Sequence, residues 1–102
     1  MRTVLLVSED EALNVRLLRA LPDCSVFPAS TEEEALRTLR LTEVDLILKH
    51  VTQPVGDLEG FIAKARQLRP SVVVVCILPA EGLSPDDEAA AESADFAVLH
   101  PF

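Results

Sequence analysis

Short apolar runs alternate with amphipathic stretches along all 102 residues, and this alternation limits the chain to few folds. The runs are too short for helices and apolar on both sides. They read as strands buried on both faces, which is the habit of parallel strands joined by crossover helices. The first run is Thr3 to Val7. Residues 11 to 21 follow as a helix, with Leu13, Leu17 and Leu21 four apart, Leu18 alongside, and Pro22-Asp23 as its stop. Ser25 to Ala29 makes a second strand, and Pro28 within it predicts a sheet edge, where a missing N–H costs nothing. Ser30 and Thr31 each have a Glu three residues on, so either can cap the helix that runs to Leu41 with Ala35, Leu36 and Leu39 inward.

The third strand spans Val44 to Val51. The next helix carries Leu58, Phe61, Ile62, Ala65 and Leu68 at helical spacing. Val72 to Leu78 is seven apolar residues without a break, which predicts the most buried strand, central in the sheet. The helix from Pro85 to Ser93 offers only alanines on its apolar side, so weak docking is expected. Asp95 to Leu99 is the last strand. Five strands alternating with four helices imply one α/β domain, an open doubly wound parallel sheet with right-handed crossovers.

Charge narrows the function. Seventeen acids against nine bases give a net charge of −8, which opposes nucleic acid and anionic lipid alike. No apolar run nears the roughly 20 residues of a membrane span, and the apolar start is too short for a signal peptide. A cytoplasmic domain that touches neither DNA nor membrane is expected. Cys24 and Cys76 fall in no metal or redox spacing and read as buried, reduced thiols. Gly56, Gly60 and Gly82 form no phosphate-cradling loop.

Four segments in order then resemble the receiver domain of bacterial response regulators, the CheY-like superfamily. V-L-L-V-S-E-D-E resembles the motif with the acidic pair that holds Mg²⁺, on Glu9 and Asp10. V-D-L-I-L-K-H resembles the strand ending in the phosphoacceptor aspartate, with Pro54 as the loop proline. V-V-V-V-C-I-L-P-A-E-G resembles the strand that ends in Thr or Ser. A-D-F-A-V-L-H-P-F resembles the segment ending in Lys-Pro-Phe. The resemblance implies a flavodoxin-like sheet of order 2-1-3-4-5 with its site at the carboxyl ends of the strands.

The departures from that family fall on its chemistry. His50 stands at the phosphoacceptor position, Pro79 at the hydroxyl position, His100 at the lysine position and Ala97 at the switch aromatic, while Pro101 is kept. Phosphoryl transfer to an aspartate needs a carboxylate nucleophile, and the divalent ion beside it wants oxygen ligands. Glu9 and Asp10 alone would hold Mg²⁺ weakly at best, so no cofactor is expected. The resemblance therefore implies a degenerate receiver, not an enzyme. It would be a pseudo-receiver of a two-component or transcriptional regulator, working through phosphorylation-independent contact with a protein partner or a downstream output domain.

A homodimer through the fourth helix and fifth strand fits the same picture. Two alternatives are a receiver with a non-standard acceptor and a small-molecule sensor using the pocket beside Glu9, Asp10 and His50. Protonated, His50 would pair with Asp10 in place of metal and aspartate. A receiver runs about 120 residues, and the sequence reaches Phe102 where the family's fifth helix would start. The expectation is an amino-terminal part of a longer protein, or a neighbour that covers the sheet face this helix would occupy.

Overall fold

In the computed structural model, which describes residues 2–52 and 55–99, the alternation becomes β1 (Arg2–Val7), α1 (Glu11–Ala20), β2 (Cys24–Ala29), α2 (Glu32–Leu41), β3 (Leu46–His50), α3 (Leu58–Leu68), β4 (Val73–Leu78), α4 (Pro85–Ala91) and β5 (Phe96–Leu99). All neighbouring strands pair parallel, as the alternation predicts, and their order is β2-β1-β3-β4-β5, as the family resemblance implies. Alternating side chains feed both faces of β1. Val4 and Leu6 join Leu13 and Leu17 of α1, while Leu5 and Val7 join Ala35 and Leu39 of α2 and Phe61 and Ile62 of α3.

Each helix starts on a side-chain oxygen that accepts an orphan amide. Asp10 caps α1 through Leu13 N, and Asp57 caps α3 through Gly60 N, each at 3.0 Å. Ser84 caps α4, with Pro85 in its first turn. Of the two candidate caps for α2, Thr31 serves: Glu34 N donates to Thr31 Oγ1 at 3.1 Å, and the Glu34 carboxylate reaches back to Ser30 N at 3.3 Å. Pro28 lies on the sheet edge as expected. Ser8 N donates to Ala29 O, so Ala29 and its alternate neighbours turn toward β1 and the position lacking an N–H turns outward.

Two expectations need correction. The deepest strand is β1, with Val4 to Val7 all buried, and not β4, where Val73 is 37% exposed and Val75 and Leu78 are only half-buried. The reason is coverage: on the α1 face of β4 only Ile77 is fully enclosed. Phe96 and Val98 share that face through their register with Val75 and Ile77, and they are 64% and 40% exposed. Leu18 also points away from the core at 45% exposure, because Leu13 and Leu17 alone fill the seat of α1.

At the amino ends of the strands two aspartates act as staples. Asp45 Oδ2 accepts Thr3 N at 2.8 Å while Asp45 N donates to Thr3 O. Asp95 repeats this with Val74, accepting its N–H at 2.8 Å and donating to its carbonyl at 2.9 Å. Arg66 of α3 completes the second staple, donating to Ser93 O and pairing with Asp95 at 3.2 Å. The Val74 amide, with help from Arg66, holds the Asp95 carboxyl below its ordinary 3.8. A depressed native pKa adds stability that is present above the unfolded value and lost as pH falls through the native one. At neutral pH Asp95→Asn should therefore cost about 1 kcal/mol, given the exposure of the pair. Thermal unfolding from pH 7 to pH 3 should show wild type and variant converging at the acid end.

Candidate functional site

The carboxyl ends of β2, β1 and β3 open into one cavity of about 320 Å³. Open α/β sheets bind ligands at this end, where the crossovers diverge to opposite faces. Here α1 leaves β1 toward one face and α3 leaves β3 toward the other. Val7, Ser8, Glu9 and Asp10 form the β1 wall, Ser30, Thr31 and Glu32 the wall at the start of α2, and Lys49, His50 and Thr52 the β3 wall. Glu9, Asp10 and His50, singled out from sequence, do converge. Ser8 is buried at the base, and its Oγ accepts the Asp10 N–H at 3.1 Å. This bond sets the turn that lets Asp10 Oδ1 cap α1.

The unforeseen member is Lys49. A half-buried lysine on an inner strand must find partners for its ammonium. Lys49 Nζ lies 3.7 Å from Glu32 Oε2 and donates to the His50 carbonyl at 3.2 Å, its side chain only 15% exposed. The ion pair ties the end of β3 to the first turn of α2. It also brings a positive charge into a cavity with three carboxylates. The one sequence signal was a lysine inside the apolar run L-I-L-K-H.

Other expected members lie elsewhere. Pro79 does not line the cavity; its carbonyl accepts Gly82 N at 2.9 Å in a turn where Gly82 takes φ +79°, a left-handed value that suits glycine. Ala97 is exposed on β5 and lines a separate depression beside Ala91 of α4. Pro54, His100 and Pro101 lie outside the described residues. The two nearest alternative acids are engaged away from the cavity, Asp45 with Thr3 and Asp57 with Gly60. Among the described residues, no three His, Cys, Asp or Glu side chains are grouped so as to hold a metal ion.

Cys76 of β4 is paired in register with Lys49 and fully buried, whereas Cys24, expected to be buried as well, is only half-buried at the start of β2. Burial pushes the Cys76 thiol up to about 11, and the Lys49 ammonium offsets this only in part.

No protein-family model matches the chain, and no curated protein matches it. Solved structures do. A response regulator from Thermotoga maritima is 24% identical with a TM-score of 0.83, the match covering all of this chain and 87% of that one. An adenylate cyclase from Rhodopirellula baltica is 25% identical with a TM-score of 0.80 over 98% of this chain and 76% of its own. A CheY-like receiver domain protein from Methanospirillum hungatei reaches 0.81 at 20% identity, over 100% of this chain and 83% of that one. This chain has the CheY-like receiver fold. Its cavity thus occupies the carboxyl-end position at which the receiver resemblance puts the functional site.

Thiolate character governs alkylation, so the two cysteines of this receiver fold should separate cleanly. Iodoacetamide at pH 7.5 should label the half-buried Cys24 and leave Cys76 unlabelled until denaturant is added. Intact mass before and after unfolding checks the order.

Proposed function

We propose that the chain is a pseudo-receiver, a non-enzymatic module that works through protein contact and takes no phosphoryl group on an aspartate. The observation that carries this reading is the β3 wall of the cavity. There His50 ends the strand, and Lys49 beside it is paired with Glu32. Aspartyl phosphorylation needs a carboxylate nucleophile at that wall and a cation to offset the charge developing on the transferred group. Imidazole replaces the nucleophile.

The donor set does not suit Mg²⁺ either. That ion demands near-octahedral oxygen ligation. Of the two carboxylates on the β1 wall, Asp10 already caps α1, and the facing wall offers imidazole nitrogen and an ammonium. No step is therefore assigned to a metal. In this reading His50, protonated, stands in the place of metal and aspartate and pairs with Asp10. An opposite charge nearby favours the ionised form of each partner.

The contact surface assigned to this module is α4 with β5. Its support is exposure: Phe96, Val98 and Leu99 lie open to solvent, and α4 buries only Ala91. Exposed apolar strips on a small domain mark interaction sites. The receiver likeness supports a protein partner or output domain and names neither.

Two measurements test the reading. Incubation with acetyl phosphate and Mg²⁺ should leave the intact mass unchanged, whereas a stable gain of one phosphoryl group overturns it. An NMR titration of His50 in wild type and Asp10→Asn should show the variant releasing its proton at lower pH. Superimposable curves remove the His50–Asp10 pair.

A further inference from the structure

The cavity at the carboxyl ends of β2, β1 and β3 is polar almost throughout. Among the described residues that line it, Val7 alone is apolar, so an apolar ligand has little to bury against. Its volume of about 320 Å³ lies at the small end for ligand pockets. The occupant must therefore be small and polar.

Opposite charges face each other across it. The β1 wall carries the carboxylates of Glu9 and Asp10, and the β3 wall carries the Lys49 ammonium and the His50 imidazole. Asp10 and His50 are both engaged, Asp10 as the cap of α1. Glu9 is not: among the described residues its carboxylate has neither a hydrogen bond nor an ion pair.

Lys49 also has capacity left. An ammonium offers three N–H donors. One goes to the His50 carbonyl at 3.2 Å, and Glu32 Oε2, at 3.7 Å, is an ion-pair partner beyond hydrogen-bond length. The remaining donors, on a side chain only 15% exposed, favour an acceptor that enters the cavity.

We infer that this cavity binds a free α-amino acid, with its carboxylate on Lys49 and its ammonium on Glu9. A lone anion would reach Lys49 but face the carboxylates of Glu9, Asp10 and Glu32. A lone cation would pair with Glu9 but be repelled by the Lys49 ammonium and leave its donors unmet. A zwitterion answers both walls. The strands that carry them are neighbours, about 4.8 Å apart, which suits two charges held on one α-carbon rather than at the ends of a long chain. The hydroxyls of Ser30 and Thr52 line the same space and favour a small polar side chain, so L-serine is the probe. The inference rests on the reading that neither a phosphoryl group nor Mg²⁺ takes this cavity.

Thermal unfolding of the 102-residue chain should shift to higher Tm with L-serine, since a ligand bound only by the native state stabilises it. Propionate and propylamine, each with one of the two charges, should raise Tm far less at equal concentration, a comparison that needs no variant. In calorimetric titrations, Lys49→Met and Glu9→Gln should each weaken the L-serine complex at least about tenfold. Glu32→Gln removes the carboxylate that competes for Lys49 and should not weaken it.

An unchanged Tm with L-serine, in a chain that gains no phosphoryl mass from acetyl phosphate, overturns the inference and leaves the contact reading standing. Propionate or propylamine acting as strongly as L-serine overturns the zwitterion. Binding that ignores both Lys49→Met and Glu9→Gln overturns the site. A stable phosphoryl gain overturns the contact reading and the inference with it.

Discussion

Strand β1 is hydrogen-bonded along both edges and covered on both faces, and the rest of the molecule is arranged around it. Val4 to Val7 supply four consecutive buried side chains, two to the α1 layer and two to the α2 and α3 layer. A strand so enclosed cannot shift by one residue without turning its leucines from one core into the other. Its carboxyl end is therefore a fixed point. Ser8, Glu9 and Asp10 inherit that position, and the Asp10 cap carries it into the direction of α1.

The cavity at this fixed point is governed by charge more than by shape. Three carboxylates meet one ammonium and one imidazole across walls from three strands. Burial makes the Lys49 pairing count for more than its 3.7 Å separation would at the surface, because a half-buried ammonium without a partner is costly. The same ammonium acts on the thiol of Cys76, the register partner of Lys49 on β4, which burial keeps neutral at physiological pH. A lysine in the strand thus brings an internal positive charge where the receiver resemblance implies a divalent ion.

The fold was legible because its signals are local: the period of apolar residues, the cap of α2 at the Ser30-Thr31 pair, the stop at Pro22-Asp23, and Pro28 at an edge. The convergence of Glu9, Asp10 and His50 was legible for a related reason, since residues at the carboxyl ends of adjacent parallel strands must meet. Lys49 was harder to foresee. Its partner is on α2, and no spacing in the chain tells how far a side chain at the end of β3 reaches across to another element. The burial of β4 was misjudged for a similar cause. Seven apolar residues report that a strand can be enclosed, not whether a helix lies over each end of it, and Val73 and Val75 are the places where cover runs thin. Between Ser30 and Thr31, geometry chose the one whose hydroxyl faces the Glu34 amide.

The staples at Asp45 and Asp95 sit at the amino ends of the strands, opposite the cavity. The carboxylate whose ionisation the sheet most visibly uses is therefore separated by the length of a strand from those at the site. In neutral and mildly acidic solution Asp95 stays charged, so the foot of the sheet remains pinned across that range. Whatever meets the sheet at its head does so over a foundation that mild acid does not loosen.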